Sequence, residues 1–356
     1  MPQLLGALGE RTATVVSRNG RVVDIELDDR WAAKGVLVEP ASEADEACMG
    51  AALDQGEGHE PDAFTLMNEA GTIEPVVIRV PEGVDLDAPI VVVHATDGEG
   101  IATFPRLIVH AGAHSSVAVI EVQVSGPERS LVVPVTEIVA ERAARVGHVT
   151  VQQLGLATWQ IGLQSSRVES EATFRSTSVG FGGDYARLRT DCRMVGRGAT
   201  GELNAIYFGE GDQTLDFRTF QEHIAPDCNS NLLFKGAVGG RSRSVYTGLI
   251  RVAKGARGTN AFQTNRNIKL SDHAWAESIP NLVIENNDVH CSHASAVGPI
   301  DEEQRFYLES RGVPTVVADR LIVAGFFAEV LDRLPVPMLR EQLDAAVADK
   351  LRAVLT

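Results

Sequence analysis

Three side chains able to bind a transition metal fall within four residues at His290-Cys291-Ser292-His293. Imidazole and thiolate are borderline and soft metal donors. The apolar run Leu282-Val283-Ile284 precedes the cluster. If a strand continues through it, the two-residue period puts Cys291 and His293 on one face and His290 on the other. One metal could then reach both Cys291 and His293. Two protein donors hold a metal weakly, so such a site is incomplete, labile or shared with another chain. A buried structural cysteine beside a surface histidine fits the same residues.

Other candidate chemistry is sparse. The four cysteines, Cys48, Cys192, Cys228 and Cys291, lie far apart, with no CxxC pair for zinc or redox work and no spacing that suggests a disulfide framework. The loop Gly209-Glu-Gly-Asp-Gln213 lacks the Lys-Ser/Thr of a phosphate loop and the spaced carboxylates of a calcium loop, and it reads as a turn. Arg241, Arg243, Arg251, Lys254 and Arg257 form a basic island that either docks an acidic partner or balances nearby carboxylates. No nucleophile elbow, zinc-protease helix or dinucleotide fingerprint is present, so a catalytic role has little support.

The elements that would position these residues are mostly strands. Pro75-Val-Val-Ile-Arg-Val80 and Pro89-Ile-Val-Val-Val-His94 are β-branched runs between proline and glycine punctuation. From Arg106 to about Asn287, short runs alternate with turns at Ala111–His114, Arg145–Gly147, Phe181–Asp184, Gly196–Gly198, Gly209–Asp212, Gly239-Gly240 and Lys254–Arg257. The later turns recur mostly every 13 to 16 residues. Alternation is sharp in Ser116–Val124 and Leu188–Met194, which suits an antiparallel sandwich and a parallel β-helix equally well. Before the strands, Glu39 to Glu60 is acidic and rich in Ala and Gly, and the first 70 residues read as a small, loosely built unit.

The last 55 residues or so read as helices. Asp301–Arg311 has acids in its first turn, Arg in its last and Gly312 as a stop. Pro314-Thr315 opens a second helix whose apolar face, including Val316, Val317, Leu321, Phe326, Phe327 and Leu331, is too wide for one-sided packing. Beyond Pro335-Val-Pro337, Met338 to Leu355 reads as a third, amphipathic helix.

With 356 residues, 44% of them hydrophobic, the chain can bury a large core in two or three structural units. Its net charge of -16 repels phosphate backbones and anionic lipid, so neither nucleic acid nor membrane is an expected partner. The opening MPQLLGALGER lacks a basic residue ahead of an apolar stretch of useful length, and Leu321–Val330 is too short to span a bilayer. A cytoplasmic location is expected.

Three segments carry a family resemblance: Arg243-Ser-Val-Tyr-Thr-Gly248, the stretch from Glu285 through Asp288-Val-His-Cys-Ser-His293, and Val297–Glu302 running into Phe306–Gly312. The closing pattern CSHxxxVGxIDEEQxFYLxSRG is long and specific. The chain resembles the SufB/SufD family of iron-sulfur cluster assembly proteins, nearer its SufD type, strongly from about Val149 to Leu334 and only in general character over the first hundred residues. The resemblance implies a mainly β fold: a right-handed parallel β-helix core over 101–298, an N-terminal α/β region over 1–100 and a C-terminal helical region over 299–356. It implies a non-catalytic scaffold that pairs with a SufB-like subunit and docks a SufC-like ABC ATPase through the C-terminal helices, with Val317, Leu321, Phe326 and Phe327 as the docking face. A homodimer is open to it where SufB is absent. Family SufB chains carry a cluster-associated cysteine in the segment that reads Phe262–Arg266 here, where Asn265 stands, and this favours the SufD type. Cys291 and His293 are then half of a metal site shared with SufB, holding iron or an iron-sulfur cluster only transiently. A cluster-carrying SufB-like chain is the alternative within the family, and a polysaccharide-active β-helix enzyme is the alternative outside it.

Overall fold

The computed structural model describes residues 9–42, 49–53 and 61–355. Cys48 and most of the acidic Ala- and Gly-rich stretch lie outside the described residues. The fold is mainly β, a parallel solenoid built from two long sheets. The first sheet stacks Ala13–Arg18, Ile90–Thr96, Ser116–Ser125, Arg145–Gln153, Thr173–Gly180, Thr200–Gly209, Asn229–Val238, Thr259–Lys269 and Val289–Pro299. The second stacks Val76–Val80, Arg106–Ala111, Val135–Ala140, Thr158–Val168, Tyr185–Met194, Thr214–His223, Arg243–Val252 and Trp275–Ile284.

Each coil contributes one strand to each sheet. The ladder Ser116–Arg145–Thr173–Thr200–Asn229 shows that a coil takes about 27 to 29 residues. The turn period seen in the sequence is therefore half a coil. One corner recurs in nearly the same form: His114, Ala143, Glu171 and Asp227 adopt positive φ, as do Gly198 and Gly258. Left-handed backbone at a non-glycine residue costs about 1–2 kcal/mol. It recurs here because each corner N–H donates to a carbonyl of the next coil, as from His114 to Arg142 at 2.9 Å and from Asp227 to Arg257 at 2.8 Å.

Side chains facing the axis form the inner core, which includes Val15, Ile90, Val119, Ile138, Phe174, Tyr207 and Phe234. Some polar groups inside it are hydrogen-bonded, while others among the described residues, such as Thr190 Oγ1, Gln221 Oε1 and His223 Nδ1, have no partner. Glu121 Oε2 accepts from Thr136 at 2.8 Å and lies 3.2 Å from His148 Nε2. Burial pushes the Glu121 carboxyl up, but His148, His94 and Gln123 more than reverse this and hold its pKa at about 2. His223 is fully buried with its Nε2 2.8 Å from Ser230 Oγ, and burial pushes its pKa down to about 4.

The outer face of the first sheet is also apolar, which is why its strands do not alternate in burial. Val91, Ile120, Val149, Ile206 and Phe208 form a second core with Val323, Phe327, Val330, Leu343 and Val347 of the C-terminal helices. These helices span Glu302–Glu309, Thr315–Leu331 and Arg340–Val354. The buried Lys235 ties the middle helix down by donating to Phe326 O and Glu329, while Lys350 bridges the last helix to Phe181 O and Glu210. The outer face of the second sheet is partly covered by the Ala63–Gly71 helix, whose Asn68 donates to the carbonyls of Pro105 and Val133.

Two expectations need correction. Residue 100 is no edge of the solenoid, because Ala13–Arg18, Val76–Val80 and Ile90–Thr96 already belong to its sheets; a helix and loops between these strands disguise them in the sequence. Arg145–Gly147 is not a turn but the start of a strand, and the turn precedes it. Gly147 occurs there because a Cβ would come within 2.9 Å of Pro335 Cβ in the linker crossing this face.

Candidate metal-binding face at the open end

The solenoid ends differently at its two extremities. At the first, Arg21–Leu27 pairs antiparallel with Ala13–Arg18, Leu37–Pro40 pairs antiparallel with Val76–Val80, and the short Asp29–Ala32 helix buries Trp31 against the inner core. At the other, Trp275–Ile284 and Val289–Pro299 each pair, among the described residues, with one parallel neighbour only. Most side chains of these last strands are exposed or half-buried.

The chain reaches Val289–Pro299 through a turn at Asn286–Asp288, where Asn286 Oδ1 accepts from Asp288 N at 2.9 Å. Register then fixes which way each residue faces. Cys291 pairs with Ala261, His293 with Gln263 and Ser295 with Asn265, all three partners lying buried on the axial face. His290 pairs with the half-buried Asn260 on the other face. Cys291 and His293 therefore share the axial face of the final strand, His293 exposed and Cys291 half-buried against Ile250, Val252 and Ala261. Burial pushes the Cys291 thiol up, opposed by a backbone hydrogen bond at Ala261, so the free chain holds it as a thiol. Metal capture there would release its proton. Among the described residues no group of three or more His, Cys, Asp or Glu side chains is placed to hold a metal ion, so this face offers two donors. Thiol and imidazole fit iron or an iron-sulfur cluster as cargo, provided further donors come from outside.

Asn265 is buried one coil before Ser295. Its Nδ2 donates to Tyr207 Oη at 2.9 Å and Phe234 O at 3.3 Å, and its Oδ1 accepts from Asn267 at 2.9 Å. Two nearby side chains carried no signal in the sequence. Gln263 and Ser278 stand in strands like many surface residues, yet both face the axis within the last two coils.

The expected docking residues divide. Val317 is exposed and Leu321 is 53% exposed, Phe326 is partly buried beneath Lys235, and Phe327 is fully buried against Phe208. Phe327 thus belongs to the chain's own core and is not available to a partner. A groove of about 1050 Å³ runs between the final strand and the helices, lined by Arg266, Val297, Pro299, Tyr307, Leu321 and Phe326 among others. In the basic island, Arg241 pairs with Asp212, and Arg251 with Glu222 and Glu285.

Fold and site define a parallel β-solenoid with a helical flank, capped by antiparallel strands at one end and presenting a two-donor face at the other. The family model for the SUF system FeS cluster assembly SufBD core domain matches residues 93–326. An iron-sulfur cluster assembly SufBD family protein of Mycobacterium tuberculosis is 35% identical over 311 residues, covering 83% of this chain and 76% of the relative. The iron-sulfur cluster assembly protein SufD of Bacillus subtilis is 28% identical, covering 77% of this chain and 64% of its own length. The Escherichia coli SufD is 36% identical over 181 residues, covering 51% and 43%. The chain belongs to the SufB/SufD family of iron-sulfur cluster assembly proteins, close to SufD.

Proposed function

We propose that this protein is a non-catalytic, SufD-like scaffold of the cytoplasm that pairs with a SufB-like subunit through its open end and docks a SufC-like ABC ATPase on its C-terminal helices. The observation that carries the reading is the placing of Cys291 and His293 on the axial face of a strand whose far edge has no neighbour among the described residues. Two donors are too few for stable capture, and an unpaired edge is a template for another strand. A sister subunit would meet both needs at once, adding its edge to the sheets and its ligands to the site. Iron, or a nascent cluster, would sit there as transient cargo.

Three further observations support the reading. Asn265 stands where the family resemblance places the cluster-associated cysteine of SufB, and its side chain is committed to buried hydrogen bonds. Val317 and Leu321 leave an apolar strip on the outward side of a helix that is already packed on the solenoid. Among the described residues no helix is long and apolar enough to cross a membrane.

Co-expression with SufB-like and SufC-like partners, followed by mass and iron analysis of what copurifies, tests the proposal. A stable complex retaining iron is expected, with iron retention lowered by His293→Ala while the fold is unchanged. Recovery of the chain alone would refute the pairing, and undiminished iron in the His293→Ala complex would remove His293 from the site.

A further inference from the structure

Among the described residues, several buried polar atoms on the axial side of the last coils have no partner, Gln263 Oε1 and Ser278 Oγ among them. Gln263 is 2% exposed, and its Nε2 donates to Tyr246 Oη at 2.8 Å, which leaves its Oε1 shut off from solvent and without a hydrogen bond. Ser278 Oγ, on the last strand of the opposite sheet and in register with Tyr246, is in the same condition. A buried acceptor left unmet costs about 1–3 kcal/mol. Such a group calls for a donor.

The ladder indicates which donor. In its column Gln263 follows Leu232 and precedes His293. Leu232 has no polar atom, and Tyr246 occupies the amide nitrogen while bonding Thr219 at 2.8 Å. Paired strands lie about 4.8 Å apart, so side chains in register on one face are within reach of each other. The unpartnered Ser278 hydroxyl lies on the opposite sheet, whereas the imidazole of His293 stands next to Gln263 in the ladder and can bring an N–H to the amide oxygen. We infer that Gln263 is a positioning residue for His293: its Oε1 takes one ring N–H, fixing the tautomer and leaving the other ring nitrogen as a lone pair directed to the open end.

This deepens the reading of His293 as an iron donor and rests on it, because a metal-binding histidine is oriented by the acceptor on its second nitrogen. It also gives the buried glutamine a use that its packing does not. The room it occupies is tightly held: a Cβ on Gly248 would lie 1.9 Å from Gln263 Nε2 and 2.4 Å from Tyr246 Oη. The amide nitrogen is therefore closely packed against Gly248 and Tyr246.

The test uses the full chain labelled with ¹⁵N-histidine at about pH 8, where an ordinary imidazole is neutral. Ring nitrogen shifts and long-range couplings report the tautomer, and the His293 signals are those missing from His293→Ala. One dominant tautomer is expected in the wild type, averaged signals in Gln263→Met, and retention of the tautomer in Gln263→Glu, which keeps an acceptor. In the complex with a SufB-like subunit, Co(II) binding should weaken about 10- to 100-fold in Gln263→Met. Averaged signals in the wild type, or identical signals in wild type and Gln263→Met, overturn the inference. If Gln263→Met does not fold, the wild-type and Gln263→Glu spectra decide. A fixed tautomer in a complex that takes up no Co(II) upholds the positioning and overturns the iron-donor reading.

Discussion

The two ends of the solenoid use similar residues to opposite effect. At the first end the chain spends two antiparallel strands and a four-residue helix covering its own edges, and Trp31 and Val36 disappear into the core. At the last end Trp275, Ile279, Val283, Ile284 and Val297 remain exposed beside two strands that pair, among the described residues, with one neighbour each. Apolar composition therefore does not tell a core position from a contact position in a stacked fold. What distinguishes them is whether another coil or a cap follows.

The widest separation should appear between two tryptophans. Trp31→Ala is expected to cost about 3–5 kcal/mol in urea denaturation of the isolated chain, whereas Trp275→Ala should cost under about 0.5 kcal/mol. Equal losses would erase the distinction between sealed and open ends.

A buried imidazole within the coils gives the next largest effect. His223 has a folded pKa of about 4, below the ordinary 6.5, so on acidification the unfolded chain takes up a proton that the folded chain refuses. Stability should therefore fall as pH drops from about 6.5 to 4, by about 3 kcal/mol for this residue. Denaturation curves of His223→Gln should lose that part of the slope, and a slope equal to wild type would show that the interior there is wetter than its packing suggests.

Beside the open end, Asp301 caps the Glu302–Glu309 helix by accepting from Glu303 N at 2.9 Å and Gln304 N at 3.1 Å. Asp301→Ala should cost about 1 kcal/mol, visible as a small shift in the denaturation midpoint. Leu321→Asp should change stability least, within about 0.5 kcal/mol, while weakening capture of the ATPase in a pull-down. Full capture by the folded variant would take this helix face out of the interface.

Much of this was legible in the residues. The recurring turns marked where many of the strands end but left a sandwich and a β-helix equally open, and the acids, Arg311 and Gly312 marked the first C-terminal helix, where Gly312 does adopt positive φ. The two-residue alternation put Cys291 and His293 on one face, as the register has it. Other features were hidden for physical reasons. The Thr315–Leu331 helix is apolar nearly all round, so periodicity could not separate the buried Phe327 from the exposed Leu321. Gly147 looked like a turn residue because the need for close approach by Pro335, far away in sequence, leaves no local trace. Gln263 was invisible for a related reason: a polar residue in a strand reads as solvent-facing until the stacking above it is known.

The antiparallel seal at the first coil has a consequence for assembly size. A solenoid live at both ends could add units head to tail without limit and grow into a filament. Here the stacked parallel register stops at the first end in the antiparallel strands Arg21–Leu27 and Leu37–Pro40, and among the described residues it is left open at the last end, so a second solenoid, whether a copy or a sister, could continue that register only there, which favours a pair over a filament.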